Sequence, residues 1–167
     1  GTTILLNTLH SSNFFGSLTY KDMPLITSPN LWKKFHKKKI NIIEHQRLHD
    51  DGIKINLNSP EALEEIFWKF LLNNNYITDT KLIIKNLNLK DLDEFQKFLS
   101  LILKSKNKFR YLSKNNNNIL RLIDLSKYYK NSNFILMFRD PYNQASSLLN
   151  IHKKFSSLQR KDNFIYQ

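Results

Sequence analysis

Residues 134–138 form an unbroken apolar run, Phe-Ile-Leu-Met-Phe, followed directly by Arg139, Asp140 and Pro141. A run of this kind predicts a strand that is buried on both faces, as in a parallel α/β sheet. Pro141 suits the first turn of a helix, where its missing N–H costs little, and the helix is predicted to continue through His152. This strand–helix unit constrains the fold most, because it requires neighbouring strands and covering helices.

The end of this predicted strand is a candidate binding edge. Arg139 would lie at the carboxyl end of the strand, with Ser146 and Ser147 about two helical turns along, roughly 10 Å away. Ligands bind at this edge in open α/β sheets, and a guanidinium and a hydroxyl can hold one phosphate from two sides. An ion pair between Arg139 and Asp140, with both serines packed on the helix, is the structural alternative. The stretch alone does not decide between them.

The first three residues allow a similar pair of interpretations. Gly1, Thr2 and Thr3 precede an apolar helical pattern that starts at Ile4. The free N–H groups and the dipole of a helix N-terminus favour an anion, so a phosphate could bind there. A threonine that simply caps the helix is the alternative.

The region before the apolar run completes a βαβ-like unit. Residues 108–113 predict a short strand, and residues 119–129 predict a helix with Leu120, Ile123 and Leu125 facing inward. Such a unit is nearly always right-handed and places its two strands parallel. The predicted fold class is therefore α/β.

Apolar residues at helical spacing predict further helices. One helix begins at Ser28-Pro29, and a second begins at Ser59-Pro60. Residues 11–16 are predicted to be a turn, and residues 81–89 fit either a strand or a loop. The second of these helices is expected to bury Leu63, Ile66, Phe67 and Phe70. The longest spans residues 90–104, with Leu92, Phe95, Phe98, Leu99, Ile102 and Leu103 facing inward.

Composition limits the class of protein. The 167 residues suffice for one domain with a core, and without cysteine they can form neither disulfides nor thiolate metal sites. We expect no membrane span and no signal peptide, which favours the cytoplasm. His45 and His49 are spaced i, i+4 without a His-Glu-x-x-His motif, so we expect no metal site.

The chain is basic, with 26 Lys and Arg against 14 Asp and Glu and a formal net charge of +12. Nucleic acid, anionic membranes and small polyanions are compatible with such a charge. However, only 5 of the basic residues are Arg, and 21 Lys accompany 21 Asn. Both residues have A/T-rich codons, so a low-GC genome also explains this composition. The charge therefore carries little information about function.

The two candidate phosphate sites together resemble those of the PAPS-dependent sulfotransferases (PAPS is 3′-phosphoadenosine 5′-phosphosulfate). Their first signature, typically Pro-Lys/Arg-Ser-Gly-Thr-Thr, wraps the 5′-phosphosulfate. Only Gly1-Thr2-Thr3 of it is present in this sequence. Their second signature is a strand ending in Arg with a Ser eight residues later, as in Arg139 and Ser147, and it binds the 3′-phosphate. Other stretches resemble a bacterial branch of these enzymes, namely residues 18–24, 29–32, 51–53, 59–65 and 113–116.

The resemblance implies one domain over residues 1–167, with a P-loop NTPase-like, three-layer fold in which helices flank a parallel sheet. It implies sulfuryl transfer from PAPS to a hydroxyl or amine of a carbohydrate, lipid or small molecule, without a metal. A base must take the proton of the acceptor, and the candidates are Asp22, otherwise a turn residue, and His10, otherwise a cap or surface group. Lys114 could contact the nucleotide or substrate, or be solvated, and Arg121 is expected in a structural ion pair.

Because the chain starts inside the first signature and stops at Gln167 without a closing element, we expect a truncated domain that is a poor catalyst by itself. Two other functions stay open. A P-loop kinase-like phosphotransferase would need Gly-Lys-Ser/Thr, whereas Gly1 is followed by Thr. A basic nucleic-acid-binding module would use the positive charge, but no known binding motif is present, and we expect no nucleic acid partner.

Overall fold

The computed structural model describes residues 1–35, 44–46, 52–73, 76–78 and 80–160. These residues form a mixed α/β structure in which helices predominate and the strands are short. The elements are α1 (Thr2–Ser11), β1 (Phe15–Gly16), α2 (Pro29–Phe35), β2 (His45–Gln46), β3 (Lys54–Ile55), α3 (Glu65–Leu71), α4 (Leu89–Lys106), β4 (Arg110–Tyr111), α5 (Leu122–Tyr128) and α6 (Pro141–Gln159).

Strands β1 and β4 form a small parallel sheet. Phe15 lies opposite Arg110 and Gly16 opposite Tyr111. The Leu112 N–H donates to the Gly16 carbonyl at 2.9 Å, which is one of the bonds that hold the pair of Gly16 and Tyr111. The prediction of a strand within residues 108–113 is therefore confirmed in its centre, and the predicted turn over residues 11–16 contains its partner strand.

Gly16 allows α4 and β4 to approach β1 closely. A Cβ atom at this position would lie 3.1 Å from Leu103 and 3.2 Å from the Cβ of Lys108. Both distances are tighter than ordinary van der Waals contacts, so a larger residue would require the side chains of Leu103 and Lys108 to shift by a few tenths of an ångström. The second sheet, β2 with β3, is a separate antiparallel pair.

Helix α4 is the centre of the core, and its prediction is confirmed. Its start is fixed by a capping box, in which Asn88 accepts from the Asp91 N–H and Asp91 accepts from the Asn88 N–H. Its end is fixed by Asn107 in the left-handed conformation, with φ 54°. Its buried side chains pack against Trp68 and its neighbours, and they include Leu92, Phe95, Phe98, Leu99 and Ile102.

The strand predicted over residues 134–138 is wrong. This segment has neither helix nor strand structure, and its side chains are exposed, from 41% at Phe134 to 91% at Phe138. A strand needs a partner backbone, and an apolar run encodes the tendency to be buried without specifying that partner. Within the described residues, β4 pairs with β1 instead.

The helix predicted to start at Ser59-Pro60 starts later, at Glu65. The backbone before it is used by the segment after β1, because the Tyr20 N–H donates to the Ser59 carbonyl and the Glu61 N–H donates to the Leu18 carbonyl. These long-range bonds keep residues 59–61 out of the helix. The sequence signal for a helix start was therefore overridden by tertiary pairing.

Some predicted inward faces are also wrong. In α3, Trp68 is fully buried, whereas Ile66 and Phe70 are 43% and 76% exposed. The helix predicted over residues 119–129 is divided into a 3₁₀ turn (Asn116–Leu120) and α5. In α5, Leu125 is buried as predicted, whereas Ile123 is exposed. The division rotates the second part relative to the first, which changes the residues that face the core.

Helix α6 is confirmed. Pro141 occupies its first turn, and the Asp140 carboxylate caps it by accepting from the Asn143 N–H at 2.9 Å. None of its residues is fully buried. Among the helices of the described ranges, none combines the length and apolar character needed to cross a membrane.

Candidate functional site

Polar side chains gather beyond the ends of β1 and β4. After β1 the chain forms a 3₁₀ turn, Tyr20–Asp22, and after β4 it continues through Lys114 into the turn before α5. Glu61, before α3, contacts Tyr20 and Lys114, while Glu64 and Glu65 at the start of α3 contact the segment after β4. We call the first group the aspartate cluster (Thr19, Asp22, Lys106). We call the second the glutamate network (Glu64, Glu65, Tyr76, Tyr111, Ser113, Asn115, Asn118, Arg121).

Asp22 is the centre of the aspartate cluster. The Thr19 N–H and hydroxyl donate to its Oδ2 at 2.7 and 2.9 Å. The Lys106 ammonium donates to its Oδ1 and Oδ2 at 2.8 and 2.6 Å. Asp22 is 6% exposed, so its charge is compensated by these groups more than by water. To act as a base, it would have to exchange one of these bonds for the acceptor hydroxyl.

His10 lies in the last turn of α1, near the same lysine. Burial, followed by the charges of Lys106 and Lys108, lowers the pKa of His10 below its usual value of 6.5. At neutral pH the imidazole is therefore uncharged and able to accept a proton. The structure thus places both predicted bases, Asp22 and His10, in the electrostatic environment of Lys106.

Lys114 follows β4 by three residues and is connected to the turn that holds Asp22. Its ammonium lies 3.8 Å from Glu61 Oε1, and its side chain is 20% exposed. The other oxygen of Glu61 accepts from the Tyr20 hydroxyl at 3.3 Å. A path of contacts therefore joins Lys114 to the segment around Asp22.

Glu64, at the start of α3, is a buried carboxylate, 1% exposed. It accepts from the Tyr111 hydroxyl at 2.7 Å, the Ser113 hydroxyl at 2.5 Å and the Asn118 amide at 3.1 Å. Burial and the charge of Glu64 raise the pKa of Tyr111 well above its usual range, which keeps this phenol protonated as a donor. Among the described residues, the donors to Glu64 are therefore neutral groups from β4 and the segment after it.

Glu65 forms the ionic part of the network. Arg121 donates to its two oxygens at 2.7 and 3.0 Å, the Asn115 amide donates at 2.5 Å, and the Tyr76 hydroxyl also donates. Burial raises the pKa of Glu65, but these hydrogen bonds outweigh it, so the net pKa is lowered. The Arg121 guanidinium also lies 4.7 Å from the centre of the Trp68 ring. The predicted structural ion pair of Arg121 is confirmed.

The Gly-Thr-Thr segment opens α1. Gly1 is the N-cap, and its carbonyl accepts from the N–H groups of Ile4 and Leu5 at 3.1 and 3.2 Å. Thr2 and Thr3 lie in the first turn, so a threonine does not cap this helix. The predicted phosphate site at this helix end stays a prediction.

Arg139 and Ser147 lie on either side of the start of α6. Arg139 is exposed, and because residues 134–138 do not form a strand, the prediction that it lies at the end of a strand is wrong. Ser147 is half-buried. Asp140 caps α6 instead of pairing with Arg139. In the described part of the chain, no contact joins Arg139 or Ser147 to Asp22, His10 or Lys114. Their shared phosphate site stays a prediction.

Sequence reasoning missed three charged residues of this region, Glu64, Glu65 and Lys106. A signal for the two glutamates was present, since residues 59–65 and 113–116 both resemble the same enzyme family. The structure shows that these two stretches are hydrogen-bonded to each other. Lys106 lies in none of the stretches that resemble this enzyme family, so the sequence did not point to it.

Within the described ranges, no group of three or more His, Asp or Glu side chains could hold a metal ion. His45 is exposed in β2, and His49 lies outside the described residues. Comparison with family models, with curated proteins and with solved structures gives no match to this chain.

Proposed function

We propose that this protein is a PAPS-dependent sulfotransferase with a P-loop NTPase-like fold, and that the acceptor is a hydroxyl or an amine. The observation that carries the proposal is the placement of Asp22. This carboxylate is the nearest one to the position after the first helix where some of the resembled enzymes carry a glutamate base. It lies beside Lys106, beyond the end of a parallel strand. The contacts through Tyr20 and Glu61 connect it to Lys114, after the other parallel strand.

The reaction breaks the bond between sulfur and the bridging oxygen of the phosphosulfate and forms a bond from sulfur to the acceptor. The acceptor loses a proton to a base, and 3′-phosphoadenosine 5′-phosphate (PAP) leaves. By analogy with phosphoryl transfer, the protein positions the two reactants in line and stabilises the charge of the leaving phosphate.

The chain offers a group for each of these tasks. The N–H groups and hydroxyls of Gly1-Thr2-Thr3 would bind the 5′-phosphosulfate at the start of α1. Arg139 and Ser147 would bind the 3′-phosphate, and Lys114 would add a positive charge.

Two side chains are candidates for the base. The lowered pKa of His10 supports an uncharged imidazole at neutral pH. Asp22 is supported by its position in the resemblance and by its contact with Lys106, which keeps the carboxylate in a fixed orientation. Turnover of Asp22→Asn and His10→Gln variants, made in a chain that carries the complete first signature, would distinguish them, because only the loss of the base should abolish the chemical step.

Titration calorimetry with PAP tests the proposal. Arg139→Ala should weaken PAP binding by about 1.5–3 kcal/mol, the usual contribution of hydrogen bonds to charged groups. Arg110→Ala is the matched control, because Arg110 is an exposed arginine on β4 with no predicted role. Absence of PAP binding to the wild type, or equal affinities of the two variants, would contradict the proposed nucleotide site.

A further inference from the structure

The two residues that flank Lys114 are each bonded to a different carboxylate of the consecutive pair Glu64 and Glu65. The Ser113 hydroxyl donates to Glu64 Oε1 at 2.5 Å, and the Asn115 amide donates to Glu65 Oε2 at 2.5 Å. The backbone is thus attached to the start of α3 immediately before and immediately after Lys114. The position of the lysine follows from these two attachments.

The carboxylates are themselves held in place. Glu64 is 1% exposed and also accepts from Tyr111 and Asn118. Arg121 donates hydrogen bonds to both carboxylate oxygens of Glu65, and the Arg121 side chain is only 2% exposed. A side chain that must be oriented within a fraction of an ångström needs supporting residues whose own positions are fixed. Glu64 and Glu65 meet this requirement.

The ammonium of Lys114 is available to an anionic ligand. Its distance of 3.8 Å from Glu61 Oε1 exceeds the 2.7–2.9 Å of a charge-assisted hydrogen bond. An incoming phosphate oxygen could therefore form a shorter and stronger contact than the existing one. The flanking bonds hold the backbone, while the ammonium makes only the long ion pair with Glu61 among the contacts of the described residues.

We propose that Glu64 and Glu65 are positioning residues that hold Lys114 for contact with an anionic group of the donor nucleotide. The inference rests on the proposed function, because it takes PAP as the ligand. Neither glutamate touches the ligand, and both act through the loop that carries the lysine.

A double-mutant cycle measured by calorimetry with PAP tests this role. Lys114→Met and Glu65→Gln should each weaken PAP binding by about tenfold, the lower end for a hydrogen bond to a charged group. The double variant should bind no more weakly than Lys114→Met alone, because a positioning residue has no effect once the positioned group is absent. A purely structural role would instead leave PAP affinity unchanged in Glu65→Gln, or give additive losses, and either result would overturn the proposal.

Two further sets of variants complete the experiment. Ser113→Ala and Asn115→Ala remove the flanking bonds from the loop side without changing a buried carboxylate, and the double Ser113→Ala/Asn115→Ala variant should also lose about tenfold in PAP affinity. Arg110→Ala is the control, since it removes an exposed cation of β4 but leaves the flanking bonds of Lys114, and it should not weaken binding. Failure of the wild type to bind PAP would overturn the proposed function as well. Normal wild-type binding with unaffected loop variants would overturn only the positioning role.

Discussion

Replacing Arg121 with methionine should destabilise the protein strongly. Arg121 donates to Glu65 at 2.7 and 3.0 Å and to Asn118 at 3.0 Å. Its side chain is 2% exposed, and its guanidinium lies near the rings of Trp68 and Tyr76. Methionine preserves much of the apolar packing but leaves the carboxylate of Glu65 without its cation.

The expected loss follows from this geometry. Removing one partner of a buried ion pair costs about 3–5 kcal/mol, because the other charge stays buried and unpaired. The Glu65 side chain is 16% exposed, so limited access of water places the expected loss near the lower end, at about 3 kcal/mol. The contact with Trp68 adds roughly 0.5–1 kcal/mol.

Urea denaturation followed by circular dichroism measures this loss. Arg110→Met is the matched control, and it should change the free energy of unfolding by less than about 0.5 kcal/mol because Arg110 is exposed. The double variant Arg121→Met/Glu65→Gln should be less destabilised than the sum of the two single variants, since both partners are then removed. A loss below about 1 kcal/mol in Arg121→Met would refute the assignment of Arg121 as the main stabilising cation of the network.

Two further predictions concern the aspartate cluster and His10. Because the pKa of His10 is lowered, the unfolded state takes up a proton before the folded state does, so stability should fall as the pH decreases through about 6.5. Chemical denaturation at about pH 7.5 and about pH 5.5 should show a smaller loss in His10→Asn than in the wild type, and equal losses would contradict this. Lys106→Met should lower the free energy of unfolding by roughly 1–3 kcal/mol, because Asp22 would keep only its bonds from Thr19. In the same denaturation assay Lys104→Met is the control, because Lys104 is exposed. Similar free energies of unfolding for the two variants would show that the ion pair of Lys106 and Asp22 contributes little.

Helix α4 was predictable because its signals are local. The apolar residues recur at helical spacing, and Asn88 with Asp91 marks the start through side chains three residues apart. Each of these features can be read from a short stretch of sequence. The helix that begins at Pro141 was predictable for the same reason, since a proline in the first turn and a capping Asp140 lie next to each other.

The strands were less predictable because a partner decides them. The paired residues of β1 are only Phe15 and Gly16, too few to show a period of two. Residues 134–138 carry a stronger apolar signal, yet nothing within the described residues pairs with them. Hydrophobicity indicates that a segment tends to be buried, whereas pairing depends on which backbone lies beside it.

The candidate site also combines features that the local sequence indicates with contacts that it does not. The structural ion pair of Arg121 was expected, but its partner Glu65 lies 56 residues away in the sequence. Lys106 and Asp22 are 84 residues apart. Contacts over such separations depend on how the elements pack, and a single sequence does not reveal them through spacing.

The late start of α3 and the glutamate network have one physical origin. Glu64 is the N-cap of α3 and Glu65 is its first residue, so both carboxylates lie at the positive end of the helix dipole. This placement offsets part of the cost of burying Glu64, because its donors among the described residues, Tyr111, Ser113 and Asn118, are neutral. In a helix starting at Ser59-Pro60, the two glutamates would lie in the second turn, where the dipole contributes little. The backbone bonds that hold residues 59–61 against the segment after β1 therefore do more than delay the helix, because they bring two acidic residues to the position where the Lys114 loop can bind them.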